Sequence, residues 1–171
     1  LSETASITVG NISNAPPAAP VLAANPTAPT NGSVTVTVTY PAGVTTKEYR
    51  VGTGAWTPYT AAVVLTANNT VYARCSNSSG VFSEISTLVV GNIDKTPPTA
   101  PTLSKDPETA TGGNVTVTVA YPADAVVKQA KTGSGGVWAA YTGPLVLTAN
   151  ATVYAKCFDA AGNASAEASI V

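Results

Sequence analysis

Valine alternates with a β-branched partner along Val34-Thr35-Val36-Thr37-Val38-Thr39, and the pattern returns along Val115-Thr116-Val117-Thr118-Val119-Ala120. A period of two is the signature of a half-buried strand, with Val34, Val36 and Val38 on one face and Thr35, Thr37 and Thr39 on the other. On a helix the same valines would scatter around the circumference. β-Branching at these positions suits the pleat. Glycine opens each run (Gly32, Gly113) and a Tyr-Pro pair closes it (Tyr40-Pro41, Tyr121-Pro122). The same reading of copy one predicts strands over 21–24, 33–40, 47–52, 56–59, 62–66, 70–76 and 84–90, with turns at the glycines after position 51, at Asn68-Asn69 and at 77–80. The prolines around the first strand place it at a sheet edge. About seven short strands divided by polar turns predict a β-sandwich. No stretch carries a helical period.

The repeat sets the domain plan. Ile12 and Ile93 open the two complete copies, an offset of 81 that holds through Tyr40 and Tyr121. The Gly133-Ser134-Gly135-Gly136 turn adds a residue, so that Trp56 matches Trp138, Tyr59 matches Tyr141 and Tyr72 matches Tyr154 at an offset of 82. Residues 12–92 are therefore read as one module and 93–171 as a second. Residues 1–11 match 82–92 and read as the last strand of a preceding module or a stray N-terminal strand. The second copy stops within the match to that strand, and the chain holds no methionine, so a longer array is expected. The proline-rich stretches 14–20 and 95–101 are read as short, stiff joints.

Composition narrows the function classes. Charged residues make up 10% of the chain and the formal net charge is -1, without the basic patch that nucleic acid or an anionic membrane surface would require. No apolar run approaches the roughly 18 to 20 residues of a membrane span. Hydrophobic residues make up 44%, which suits a globular chain. Each copy has one cysteine, Cys75 or Cys157, on the alternating face of Val71 and Ala73 or of Val153 and Ala155. A disulfide within a copy is impossible, and both cysteines read as small buried hydrophobes.

The run 49–60 (Tyr-Arg-Val-Gly-Thr-Gly-Ala-Trp-Thr-Pro-Tyr-Thr), followed by Val64-Leu65-Thr66 and Thr70-Val71-Tyr72-Ala73, resembles the bacterial immunoglobulin-like modules that recur in tandem in surface and secreted proteins. In copy two the resemblance extends to 138–144 and to the Asp-Ala-Ala-Gly-Asn-Ala-Ser turn at 159–165. It implies an all-β chain of two tandem immunoglobulin-like or fibronectin-like β-sandwiches joined by a short Pro-rich linker. It also implies an extracellular or cell-surface setting, with neighbouring modules of the same kind as partners. Copy one has Asn77-Ser78-Ser79-Gly80-Val81 at the last turn, so a role for Asp159 is not expected to be shared.

Candidate chemistry is sparse. Histidine is absent, which removes the commonest general base and metal ligand together. Asp106 and Glu108 flank a proline in a turn rather than facing each other across a cleft, as a carboxylate pair for hydrolysis must. Asp94, Asp106, Glu108 and Asp159 are the oxygen donors open to calcium, and their scatter predicts ordinary surface acids. No catalytic, cofactor or metal site is expected, and the Asn-X-Ser/Thr triplets follow from asparagine-rich turns before Ser/Thr-rich strands. The aromatic residues hold the remaining possibility. Trp56 with Tyr59, and Trp138 with Tyr141, are read either as core or rim packing or as platforms for sugar rings of a glycan or cell-wall polymer. The expected function is a non-catalytic structural spacer. The alternatives are carbohydrate binding and self-assembly into a fibre or layer by strand addition through residues 1–9.

Overall fold

The computed structural model describes residues 3–10 and 15–171; expectations placed on Leu1, Ser2 and residues 11–14 lie outside these. Every described regular element is a β-strand, and the chain divides into two compact units, Leu1–Thr27 with Ser33–Gly91 and Ala28–Gly32 with Asn92–Val171.

Unit 1 contains β1 (Val21–Asn25), β2 (Val34–Thr39), β3 (Thr46–Val51), β4 (Thr57–Pro58), β5 (Val63–Leu65), β6 (Asn69–Ser76) and β7 (Ser86–Val90). These form two antiparallel sheets ordered β1-β2-β5 and β4-β3-β6-β7. The Val/Thr strand lies at the centre of the first, with Val36 facing Ala24 on one side and Val63 on the other. β1 is an edge, as its flanking prolines require. Val34, Val36, Val38, Val63 and Leu65 from this sheet are buried, as are Val71, Ala73, Cys75 and Val90 from the other. A period of two buries one side of each sheet, and the two buried sides supply one core. Asn69, expected in a turn, instead opens β6 opposite Val90, with its own Oδ1 accepting the Thr70 amide.

Unit 2 repeats the plan with β8 (Thr102–Asp106), β9 (Val115–Ala120), β10 (Val127–Thr132), β11 (Ala139–Ala140), β12 (Leu145–Leu147), β13 (Val153–Phe158) and β14 (Ala168–Ile170). Its sheets run β12-β9-β8 and β11-β10-β13-β14. A three-stranded and a four-stranded antiparallel sheet with these crossovers make an immunoglobulin-like sandwich. The added residue of copy two sits where backbone crowds backbone. A Cβ on Gly136 would lie 2.2 Å from the Thr132 carbonyl oxygen, so only glycine closes that turn.

The proline stretches run along their sandwiches. Pro20, Pro98 and Pro101 are buried, and 95–101 falls wholly within unit 2. The Ser86 hydroxyl donates to the Pro20 carbonyl, and the Cys75 thiol lies 3.5 Å from the Ala18 carbonyl oxygen. Both cysteines are free and fully buried. Residues 3–10 form no strand and are exposed, with Ile7 at 90% and Val9 at 65%.

Candidate functional site

The side chains of greatest chemical character collect on the outward face of the four-stranded sheet. β6 turns Val71, Ala73 and Cys75 inward, so Tyr72 and Arg74 point outward, and the register sets Arg50 opposite Tyr72 and Glu48 opposite Arg74. Trp56, just before β4, reaches the same face. The Arg50 guanidinium carbon lies 4.7 Å from the Tyr72 ring centre and 5.0 Å from that of Trp56. The Arg74 guanidinium carbon lies 4.2 Å from both Trp56 and Phe82. Rings and cations therefore alternate in the order Tyr72, Arg50, Trp56, Arg74, Phe82. The Arg74 Nε also donates to Glu48 Oε2 at 2.8 Å. Each cation–ring contact is worth about 0.5 to 1 kcal/mol at such half-exposed positions. Arg50 Nε is buried without a hydrogen-bond partner, a cost those two ring contacts offset.

Unit 2 builds the same ladder from lysines. Lys131 lies 5.1 Å from Tyr154 and 4.9 Å from Trp138, and Lys156 lies 4.3 Å from Trp138 and 5.6 Å from Phe158. Gln129 replaces Glu48, so the carboxylate is missing. The terminal ring has changed strand: bridges join Ser76 to Phe82 and Phe158 to Ala164, so each copy supplies one aromatic to the pair from opposite sides.

Tyr59 and Tyr141 do other work. Three residues beyond the tryptophan in an extended chain, each lies on the opposite face from it. The Tyr59 hydroxyl accepts the Val38 amide at 3.0 Å, and the Tyr141 hydroxyl accepts the Val119 amide at 3.0 Å. These donors lie beyond the end of the short β5 and β12 pairings, where β2 and β9 would otherwise have an orphaned amide. The Tyr59 ring packs on Tyr40 at 5.5 Å and Tyr49 at 5.9 Å, and Tyr141 packs on Tyr121 at 5.4 Å. Tyr40 and Tyr121 donate to the Glu48 and Gln129 carbonyls. Desolvation, then the neighbouring Tyr141 and Cys157, push the Tyr121 phenol up to about 12. Trp56 and Tyr59 thus form no common platform, nor do Trp138 and Tyr141.

The carboxylates open to calcium are engaged in turns or scattered. Asp94 Oδ1 accepts the Thr96 amide. Asp159 accepts the Asn163 amide and the Asn163 side-chain N–H, both at 2.8 Å, and Asn163 donates onward to the Asp94 carbonyl. Copy one meets the same need with Asn77, whose Oδ1 accepts the Ser79 and Val81 amides and whose Nδ2 donates to the Ala15 carbonyl. The turn role is shared after all, although the charge is not. Among the described residues no group of three or more His, Cys, Asp or Glu is placed to hold a metal ion.

Desolvation alone would raise the Asp159 pKa, but the hydrogen bonds from Asn163, with those from the Ala161 and Gly162 amides, outweigh it and hold the value below the ordinary 3.8. A depressed carboxylate stabilises the fold above its unfolded pKa, and that contribution disappears as pH falls through the folded one. Unit 2 is therefore expected to lose stability below about pH 4, and Asp159→Asn to flatten this acid limb in melts recorded between about pH 2 and 6. An unchanged acid limb in the variant would refute the assignment.

The sequence reading singled out the tryptophans but missed their partners Arg50, Tyr72, Arg74 and Phe82, and Lys131, Tyr154, Lys156 and Phe158. The available signal was the phase opposite the buried Val-Ala-Cys series, where Tyr72 and Arg74, or Tyr154 and Lys156, stand two apart.

The strand order and the paired faces define the class of this chain: an immunoglobulin-like β-sandwich protein. No family model and no curated protein matches it. Among solved structures, the human OSCAR ligand-binding domain is similar at 15% identity, covering 92% of this chain and 100% of its own, with a TM-score of 0.37. Fibronectin(III)-like modules of Clostridium thermocellum CbhA are similar at 12% identity, covering 87% and 91%, with a TM-score of 0.37. A cytokine receptor complex is similar at 18% identity, covering 88% and 94%, with a TM-score of 0.27. Similarity at this level carries no information on ligand or partner.

Proposed function

We propose that the chain is a non-catalytic pair of tandem immunoglobulin-like modules from an extracellular or surface-exposed array, which holds neighbouring parts of a longer protein at a set spacing. The supporting observation is that the aromatic faces a ligand would use are engaged by the chain's own cations, Arg50 and Arg74 on Trp56 and Lys131 and Lys156 on Trp138. A sugar ring could stack on either tryptophan only by displacing a side chain already bound there. The conserved chemistry of the two copies goes into closing sheets and bracing turns.

Two measurements test this. Spin labels on exposed Thr37 and Thr118 are expected to give one narrow distance distribution, broadened when a Gly-Ser-Gly-Ser insert follows Gly91; a broad distribution in the unaltered chain defeats the spacer reading. Titration with a panel of polysaccharides is expected to leave tryptophan fluorescence unchanged. A saturable shift that vanishes in Trp56→Ala or Trp138→Ala would replace the spacer by a glycan-binding module.

A further inference from the structure

The turn that leads into β2 carries a pair of residues that occurs at no other place in the chain, Asn31 followed by Gly32. Both are exposed. The main chain around Asn31 is held: its own amide donates to the Ala161 carbonyl at 3.2 Å, and the Thr30 amide and carbonyl bond to Asn92 and Asp94, each at 2.9 Å. The side chain is not held. Among the described residues the Asn31 carboxamide has no hydrogen-bond partner. Other asparagines are engaged. Asn77 uses both ends of its carboxamide, Asn163 donates to Asp94 and Asp159, Asn92 donates to Ala28, and Asn69 Oδ1 accepts the Thr70 amide. Copy two has Gly112 in place of Asn31, yet the same turn forms. Thr111 Oγ1 accepts the Gly113 amide at 3.1 Å, as Thr30 Oγ1 accepts that of Gly32 at 3.0 Å. The turn therefore does not need the Asn31 carboxamide.

A carboxamide carbon and the backbone nitrogen of the next residue can close a five-membered ring. The reacting atoms must come within about 3 to 3.5 Å of each other, and a side chain on the residue that supplies the nitrogen obstructs this approach. Every other asparagine is followed by a residue with a Cβ; Gly32 has none and leaves the backbone free to adjust. The far flank is open for the same reason, since Asn31 Nδ2 lies 3.9 Å from the place a Cβ would take on Gly162. The Gly32 N–H is held only by the exposed Thr30 hydroxyl, a partner that water can replace.

We propose that Asn31-Gly32 is a self-modification site whose only co-reactant is water. The Gly32 nitrogen attacks the Asn31 side-chain carbonyl carbon; that C–N bond forms, the bond from the carbon to Nδ2 breaks, and the Gly32 amide proton leaves with Nδ2 as ammonia. The resulting succinimide takes up one water at either of its two carbonyl carbons. Opening on one side gives aspartate, and opening on the other gives isoaspartate, with no change of oxidation state. In the isoaspartate form the main chain runs through the former side chain. The added backbone atom falls between the Asn31 amide, held by Ala161, and Val34, paired with Leu65. The site thus marks the age of the folded chain with one new negative charge, taking the formal net charge from -1 to -2 as one neutral amide becomes one carboxylate.

The test is peptide mapping by mass spectrometry of the full chain after incubation in mildly basic buffer. Asn31 is expected to convert about tenfold or more faster than any other asparagine, with a mass gain of about 1 Da per event. Hydroxylamine, which cuts at a succinimide, is expected to cleave between residues 31 and 32. Gly32→Ala, whose Cβ meets only the Thr30 hydroxyl at 3.3 Å, is expected to keep the melting transition and to slow conversion about tenfold or more. Asn31→Gly, the copy two residue, is expected to remove the modified species altogether. The native chain is expected to convert within about tenfold of the urea-unfolded rate; a larger deficit means that the fold shields the pair, and overturns the proposal. Parity of Asn31 with the other asparagines, or a Gly32→Ala chain that converts as fast as its parent, overturns it equally.

Discussion

Val36→Asp is expected to abolish the folding transition of unit 1, and Val117→Asp that of unit 2, with the other unit's transition retained in each case. Val36 is fully buried and Val117 is 1% exposed, each at the centre of a three-stranded sheet. No cation lies among the buried residues that form either core, so an introduced carboxylate would have neither water nor a partner. Loss of the aliphatic contacts plus burial of an unpaired polar group costs about 4 kcal/mol or more, most of the roughly 5 to 15 kcal/mol that holds a domain folded. The control is Thr37→Asp, one residue along the same strand on the exposed face, expected to change stability by less than about 0.5 kcal/mol. Urea titrations followed by circular dichroism read both. A destabilised Thr37→Asp beside an intact Val36→Asp would reverse the inward and outward faces of the whole sheet.

Tyr59→Ala carries the next largest effect, with Tyr141→Ala its counterpart in unit 2. Removing Tyr59 strips the partner from the Val38 amide and the ring contacts with Tyr40 and Tyr49, an expected loss of about 3 kcal/mol. Tyr59→Phe separates the two contributions. It keeps the ring and leaves the amide unpaired, for about 1 to 2 kcal/mol. If Phe proves neutral while Ala is costly, the hydroxyl is not the acceptor that β2 depends on and the residue acts only as a packing aromatic. Fluorescence-monitored melts of the three proteins decide between these outcomes.

The tyrosine shows how a residue can be noticed in the sequence while its partners stay unread. Tyr59 stands three positions after Trp56 in both copies, and the repetition marks both as needed. In an extended chain an odd separation sends two side chains to opposite faces, which already argued against a shared surface. What pattern alone could not supply is the destination of each ring. Tyr59 reaches an amide in β2, in the other sheet, and Trp56 lies between Arg50, six residues before it, and Arg74, eighteen residues after it. Arg74 is separated from Trp56 by β4 and β5, and the pairings of β3 with β4 and with β6 bring them together. The exchange of Phe82 for Phe158 was equally hidden, because it becomes a conserved contact only through the Ser76–Phe82 and Phe158–Ala164 bridges.

The local pattern by itself determined the strands, their inward faces, the buried cysteines and the doubling of the whole unit, because a strand's side-chain period and a turn's demand for Gly, Asn or Pro are properties of a few adjacent residues. The tertiary structure alone decided which strands became neighbours, which rings met which cations, and where the proline stretches lay. Those outcomes depend on contacts between residues tens of positions apart, whose geometry is set when two sheets close over a common core and is written in no single stretch of chain.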